Sequence, residues 1–113
     1  MYFRELTLKA VLPENISTDI MFEVAAARAD RIELLRINIL NEETTDDSYK
    51  KLLLTLKKLL KSMKADGRIQ FFANEESFKA QATEAVFLKN KYPDLFDLSK
   101  KHSGEKGFVY IKI

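Results

Sequence analysis

Chemistry in this chain would have to centre on His102, the single histidine among 113 residues. An unperturbed imidazole titrates at about 6.5, which makes it the side chain best poised for proton transfer near neutrality. His102 lies in Ser99-Lys-Lys-His-Ser-Gly-Glu-Lys-Gly107, where Lys100, Lys101 and Lys106 add positive charge and two glycines free backbone amides to converge on an anion. The chemistry would be acid or base catalysis on a bound phosphate, as in a small phosphate-handling or RNA-cleaving enzyme. Such catalysis needs a partner group within hydrogen-bond reach. The sequence marks none, so a plain surface loop is the stronger reading and a non-catalytic protein is favoured.

Other chemistries are narrowed by composition. With no cysteine there is no disulfide, no thiolate nucleophile and no ordinary structural zinc site. The stretch Lys101 to Phe108 echoes the linker of tandem zinc fingers, but no cysteine pair exists for a finger to use. Glycine-rich phosphate loops, nucleophile elbows and paired-histidine metalloprotease motifs are absent. Glu42, Glu43, Asp46 and Asp47 could offer oxygens to a hard cation, yet they lack the spacing and glycine of a calcium loop. They precede a helix, where negative charge is favoured by the dipole. No metal or cofactor is expected.

A second kind of function is carried by lysines. Lys50, Lys57, Lys61 and Lys64 recur at three- and four-residue spacings, forming a stripe able to meet successive phosphates or an acidic protein surface. Nineteen basic against seventeen acidic residues leave a charge of only +2, so any positive site must be local. A solvated helix face explains the stripe with fewer assumptions. Leu54 projects among these lysines as a place where a partner could dock.

The elements behind these groups follow from periodicity. Tyr49, Leu52, Leu53, Leu56, Leu59, Leu60 and Met63 fall within an arc of about 120°, which predicts an amphipathic helix over 46–66 stopped by Gly67. A strand follows over 68–73. Alternation predicts a first strand over 2–12 closed by Pro13, a loop over 14–18, and a short helix over 18–29 with a strand hairpin as its competitor. Residues 31–40 form a strand whose apolar parity changes near Leu34-Leu35, suggesting a bulge. One helix from Asn74, a turn at Pro93, the His102 loop and a final strand over 108–113 complete the order.

These elements make a single domain over 1–113 of α/β (α+β) class: a two-layer sandwich with a mixed four-stranded sheet and helices mainly on one face. A three-layer α/β/α arrangement is the alternative. Phe3, Phe72, Phe108 and Tyr110 share the less aliphatic parity of their strands, so the open side of the sheet would carry aromatics and could pair with a second copy. Phe72, Phe108, Tyr110 and Leu54 are then the interface candidates. The expected function is a small non-catalytic regulatory or protein-interaction domain acting as a homodimer. The alternatives are a nucleic-acid-binding module using the lysine face and the small enzyme using the 100–107 loop. No stretch reaches the roughly 18 apolar residues of a membrane span, and a cytoplasmic location is expected.

Overall fold

A computed structural model of the chain describes residues 3–7, 13–38, 46–93 and 108–113. The elements are β1 (Phe3–Thr7), α1 (Pro13–Ala29), β2 (Leu34–Asn38), α2 (Asp46–Ala65), β3 (Phe71–Ala73), α3 (Glu75–Lys79), α4 (Thr83–Lys91) and β4 (Phe108–Lys112). The strands form one mixed sheet in the order β1-β2-β4-β3. β1 and β2 are parallel, while β4 runs antiparallel to both β2 and β3. Thus β1, β2 and β3 share a direction, and α1 and α2 are the crossovers that make this possible.

Both crossover helices pack on one face. Ile20 and Val24 of α1 join Tyr49, Leu52, Leu56, Leu60 and Met63 of α2 over Leu35, Ile37, Val109 and Ile111 of the central strands. Leu56 and Leu60 have no exposed surface, which places the expected leucine face of α2 at the centre of the larger core. On the other face the short helices α3 and α4 cap the β3–β4 end, where Phe78, Ala85, Leu88 and Tyr92 cover Leu34, Ala73 and Tyr110. The mixed sheet with its two long helices on one face is the α+β sandwich expected, with α3–α4 as a smaller cap.

Several local expectations are corrected. Pro13 opens α1 instead of closing a strand, and 14–18 is helical, because proline at the first helical position loses no hydrogen bond and its fixed φ suits the helix. Nor is there a bulge in β2, whose register with β1 and β4 is unbroken from Leu34 to Asn38. Leu34 changes parity because it packs on the α3–α4 face while Leu35 and Ile37 pack under α1 and α2. The helix after Asn74 is two helices. Asn74 caps α3 reciprocally with Ser77 at 3.2 Å in each direction, and the chain then turns through Gln81 at φ 52° before α4 begins. β3 is shorter than the expected 68–73 strand, although the Gln70 N–H still donates to the Lys112 carbonyl at 2.8 Å. Among the described residues no helix is long and apolar enough to cross a membrane.

Candidate anion-binding cleft

Because α1 and α2 both return antiparallel to the strands they connect, their C-termini arrive at the same end of the sheet. The starts of β2 and β3 and the last residues of β4 are there too. Each helix stops with the same pair of bonds. In α2 the Gly67 N–H donates to Lys64 at 3.1 Å and the Arg68 N–H to Met63 at 2.9 Å, with Gly67 at φ 76°. In α1 the Arg31 N–H donates to Arg28 at 3.2 Å and the Ile32 N–H to Ala27 at 2.8 Å, with Arg31 at φ 60°. This double-bonded stop calls for a left-handed residue at its centre. Glycine meets that demand in α2, but in α1 an arginine does.

The two stops frame a cleft of about 460 Å³ lined by Arg28, Arg31, Arg68, Gln70, Lys112 and Glu33, among others. Four of the lining residues carry cationic side chains and one a carboxylate side chain, and the oxygen of Ile113, also in the lining, accepts from Lys112 Nζ at 3.2 Å and Gln70 Nε2 at 3.1 Å. The Glu33 carboxylate is engaged elsewhere, accepting from the Tyr92 hydroxyl at 3.4 Å and lying 3.9 Å from Lys91 Nζ. Of the five arginines in the chain, Arg4 pairs with Asp30 at 2.6 Å and Arg36 pairs with Glu5. The remaining three, Arg28, Arg31 and Arg68, have no carboxylate partner among the described residues. All three are exposed, and all three line this cleft.

Lys112 forms the buried side of the same cleft, at 4 % exposure, donating to the Ile113 carbonyl at 3.2 Å. Burial pushes its ammonium below the ordinary lysine value, and nearby Lys91 pushes the same way while Glu33 opposes them. A cation held under those conditions gains from any anion placed beside it. Cations near helix C-termini also complement the dipole, and that ordinary role suffices for Arg28 and Arg68. It does not require a left-handed Arg31.

Adjoining the cleft is a second, apolar hollow of about 370 Å³ between α1 and α2, lined by Met21, Val24, Ala25 and Met63 and closed by Arg28 and Arg68. The two arginines therefore stand on the common rim of a cationic and an apolar space.

Arg36 is a different matter. Its residue is 7 % exposed, and its guanidinium carbon lies 5.2 Å from the Phe3 ring centroid, 5.4 Å from Phe108 and 6.0 Å from Tyr110. Burial works against its charge, but interactions with Glu5 and Tyr110 outweigh it and hold the pKa above the ordinary arginine value. Glu5, Arg36 and Tyr110 share one row across β1, β2 and β4. The group stitches the sheet together beneath its aromatics with the guanidinium itself buried, while the Glu5 carboxylate that pairs with it is exposed.

The residues expected to act from sequence fall into separate places. Lys57 is tied to Glu76 at 2.9 Å, while Lys50, Lys61 and Lys64 are exposed on α2. Leu54 is 56 % exposed. Tyr110 is 1 % exposed and meets Phe78 edge-on at 5.4 Å, so it belongs to the chain's own core instead of an open face. Phe72 sits on the other face, against the α1–α2 core, because it pairs in register with Ile111. Phe108 packs with the Tyr110 cluster and against Arg36. His102, Lys100, Lys101 and Lys106 lie outside the described residues, as do Glu42 and Glu43. β4 begins at Phe108, opposite Asn38, at the end of the sheet away from the arginine cleft. Sequence reasoning passed over Arg28, Arg31, Arg68 and Lys112, although Arg31 and Arg68 each follow a helix end. Neither a protein-family model nor a curated protein nor a solved structure matches the chain.

Proposed function

We propose that this chain is a small non-catalytic interaction domain that holds an acidic segment of a protein partner in the arginine cleft. The observation that carries the reading is the convergence on one cleft of three arginines that have no carboxylate partner among the described residues, Arg28 donating only to the Arg68 carbonyl at 3.4 Å. Guanidinium is planar, permanently charged and weakly hydrated, and its fork matches a carboxylate with two parallel bonds. Left-handed backbone costs an ordinary L-residue roughly 1–2 kcal/mol. An arginine kept at that cost, where glycine would serve the fold, suits a residue held for what its side chain binds.

The test is fluorescence anisotropy with a labelled Glu-rich peptide, on the wild type and on Arg28→Gln, Arg31→Gly and Arg68→Gln. Saturable binding weakened by each substitution and by added salt is expected; no binding to the acidic peptide at low salt refutes the proposal. The nucleic-acid reading retains one supporting observation. Lys61 and Lys64 are exposed on the last turns of α2, close in sequence to Arg68. A single-stranded oligonucleotide that outcompetes the peptide, with a salt slope of about 0.7 per phosphate contacted, would favour it.

A further inference from the structure

Resting on that reading, we infer that the segment bound in the cleft carries a bulky apolar side chain beside its acidic one, seated in the hollow between α1 and α2. Arg28 and Arg68 line both spaces, so a ligand gripping their guanidinium groups has the apolar hollow immediately beyond. The hollow is built for contact with hydrocarbon. Val24 and Met63, at 2 % and 3 % exposure, and Met21, at 38 %, line it. Methionine adapts its shape to varied apolar partners, and the aliphatic stems of Arg28 and Arg68 extend the apolar surface up to the charged rim.

Charge complementarity selects the occupant. Three guanidinium groups without carboxylate partners among the described residues favour an anion, and one anionic group cannot also fill an apolar space of about 370 Å³. A peptide supplies both from neighbouring side chains, with a backbone N–H able to donate to the amide oxygen of Gln70, whose Nε2 donates to the Ile113 oxygen at 3.1 Å. An anionic membrane would supply the same two chemistries. However, the cleft and hollow are concave, whereas a membrane-seeking surface presents protruding apolar side chains to the bilayer. The peptide is the better fit.

Three labelled peptides of equal length decide the matter: one with Glu-Glu-Leu between Gly-Ser flanks, one with Glu-Glu-Ala, and one with Gln-Gln-Leu. The leucine peptide should bind about tenfold more tightly than the alanine peptide, as expected for partial burial of one large side chain. The glutamine peptide should bind least. Ala25→Gln places a polar side chain in the hollow from an exposed helix position. It should lower the affinity of the leucine peptide to that of the alanine peptide. Equal binding of the leucine and alanine peptides, both weakened by Arg31→Gly, overturns this inference and leaves the acidic-partner reading standing. Failure of both to bind overturns both. Binding to vesicles of phosphatidylserine and phosphatidylcholine in preference to every peptide overturns the peptide in favour of a membrane.

Discussion

Replacing Arg31 by glycine should separate what the fold needs from what the cleft does. Arg31 is the central residue of the α1 stop at φ 60°, the position that Gly67 fills in α2. Relief of left-handed strain is worth roughly 1–2 kcal/mol. Against it stand the greater unfolded-chain entropy of glycine, about 0.5–1 kcal/mol, and the loss of one exposed cation from a helix C-terminus, about 0.3 kcal/mol. The balance is a gain near 0.5 kcal/mol, or about 2–3 °C in melting temperature for a domain of this size. Loss of one charge-assisted contact to a bound carboxylate acts the other way on affinity, by about 1.5–3 kcal/mol or at least tenfold. Urea melts and peptide anisotropy on the same samples read both numbers. Arg31→Lys, which keeps the charge but not the fork, should fall between wild type and glycine in binding. A destabilisation of Arg31→Gly beyond about 1 kcal/mol would refute the argument, since it would show a structural contact outweighing the strain. Unchanged peptide affinity would refute the assignment of Arg31 to the site.

Leu56→Ala or Leu60→Ala should cost about 2–5 kcal/mol in denaturant melts, because both side chains are fully buried at the centre of the larger core. Gly67→Ala should cost about 1 kcal/mol; an added Cβ meets nothing within 4 Å, so the penalty is purely conformational and a much larger loss would mean a contact unseen here. Lys112 has its folded pKa below the unfolded 10.5, so over that interval the unfolded chain binds the extra proton and stability rises with pH, while below it the full penalty is present. Lys112→Met should flatten that alkaline rise relative to wild type in melts taken up to pH 10.5, and an unchanged slope would disprove the shift. Homodimerisation by the sheet face is closed to Tyr110, which is 1 % exposed, so if Leu54 at 56 % is the docking residue, Leu54→Asp should abolish any dimer seen in sedimentation equilibrium, and a wild type that stays monomeric disposes of self-association.

The fold was legible where one periodicity dominated. Five of the seven residues in the leucine arc of α2 are buried and Leu53 and Leu59 pack partly buried at its margin, because a helix packed on one side must concentrate its apolar groups on one stripe. Gly67 marked its own stop, since glycine is the residue that left-handed backbone selects. The sheet was harder because β2 is covered on both faces. Alternation signals only a strand with one wet side. Leu34 and Leu35 therefore looked like a defect in register when they are two cores meeting back to back. The same mistake displaced Phe72, whose parity relative to Tyr110 depends on a strand pairing that only the β3–β4 register fixes.

The cleft was less legible for a physical reason. Its cations come from three separated segments, Arg28 to Arg31, Arg68 and Lys112, and only the parallel direction of β1, β2 and β3 brings both helix ends to the end of β4. Lysines at helical spacing are conspicuous because local geometry alone aligns them, whereas a site assembled by topology leaves no spacing to find. The one local trace was Arg28-Ala-Asp-Arg31, a helix ending without the glycine its geometry favours. Such a stop keeps its shape because the two bonds to Arg28 and Ala27 and the burial of Ile32 at 6 % exposure fix the backbone, and they leave the Arg31 side chain free to face the cleft. A strained position whose side chain is exposed and lines a cleft is where binding, not folding, has the stronger claim on residue identity.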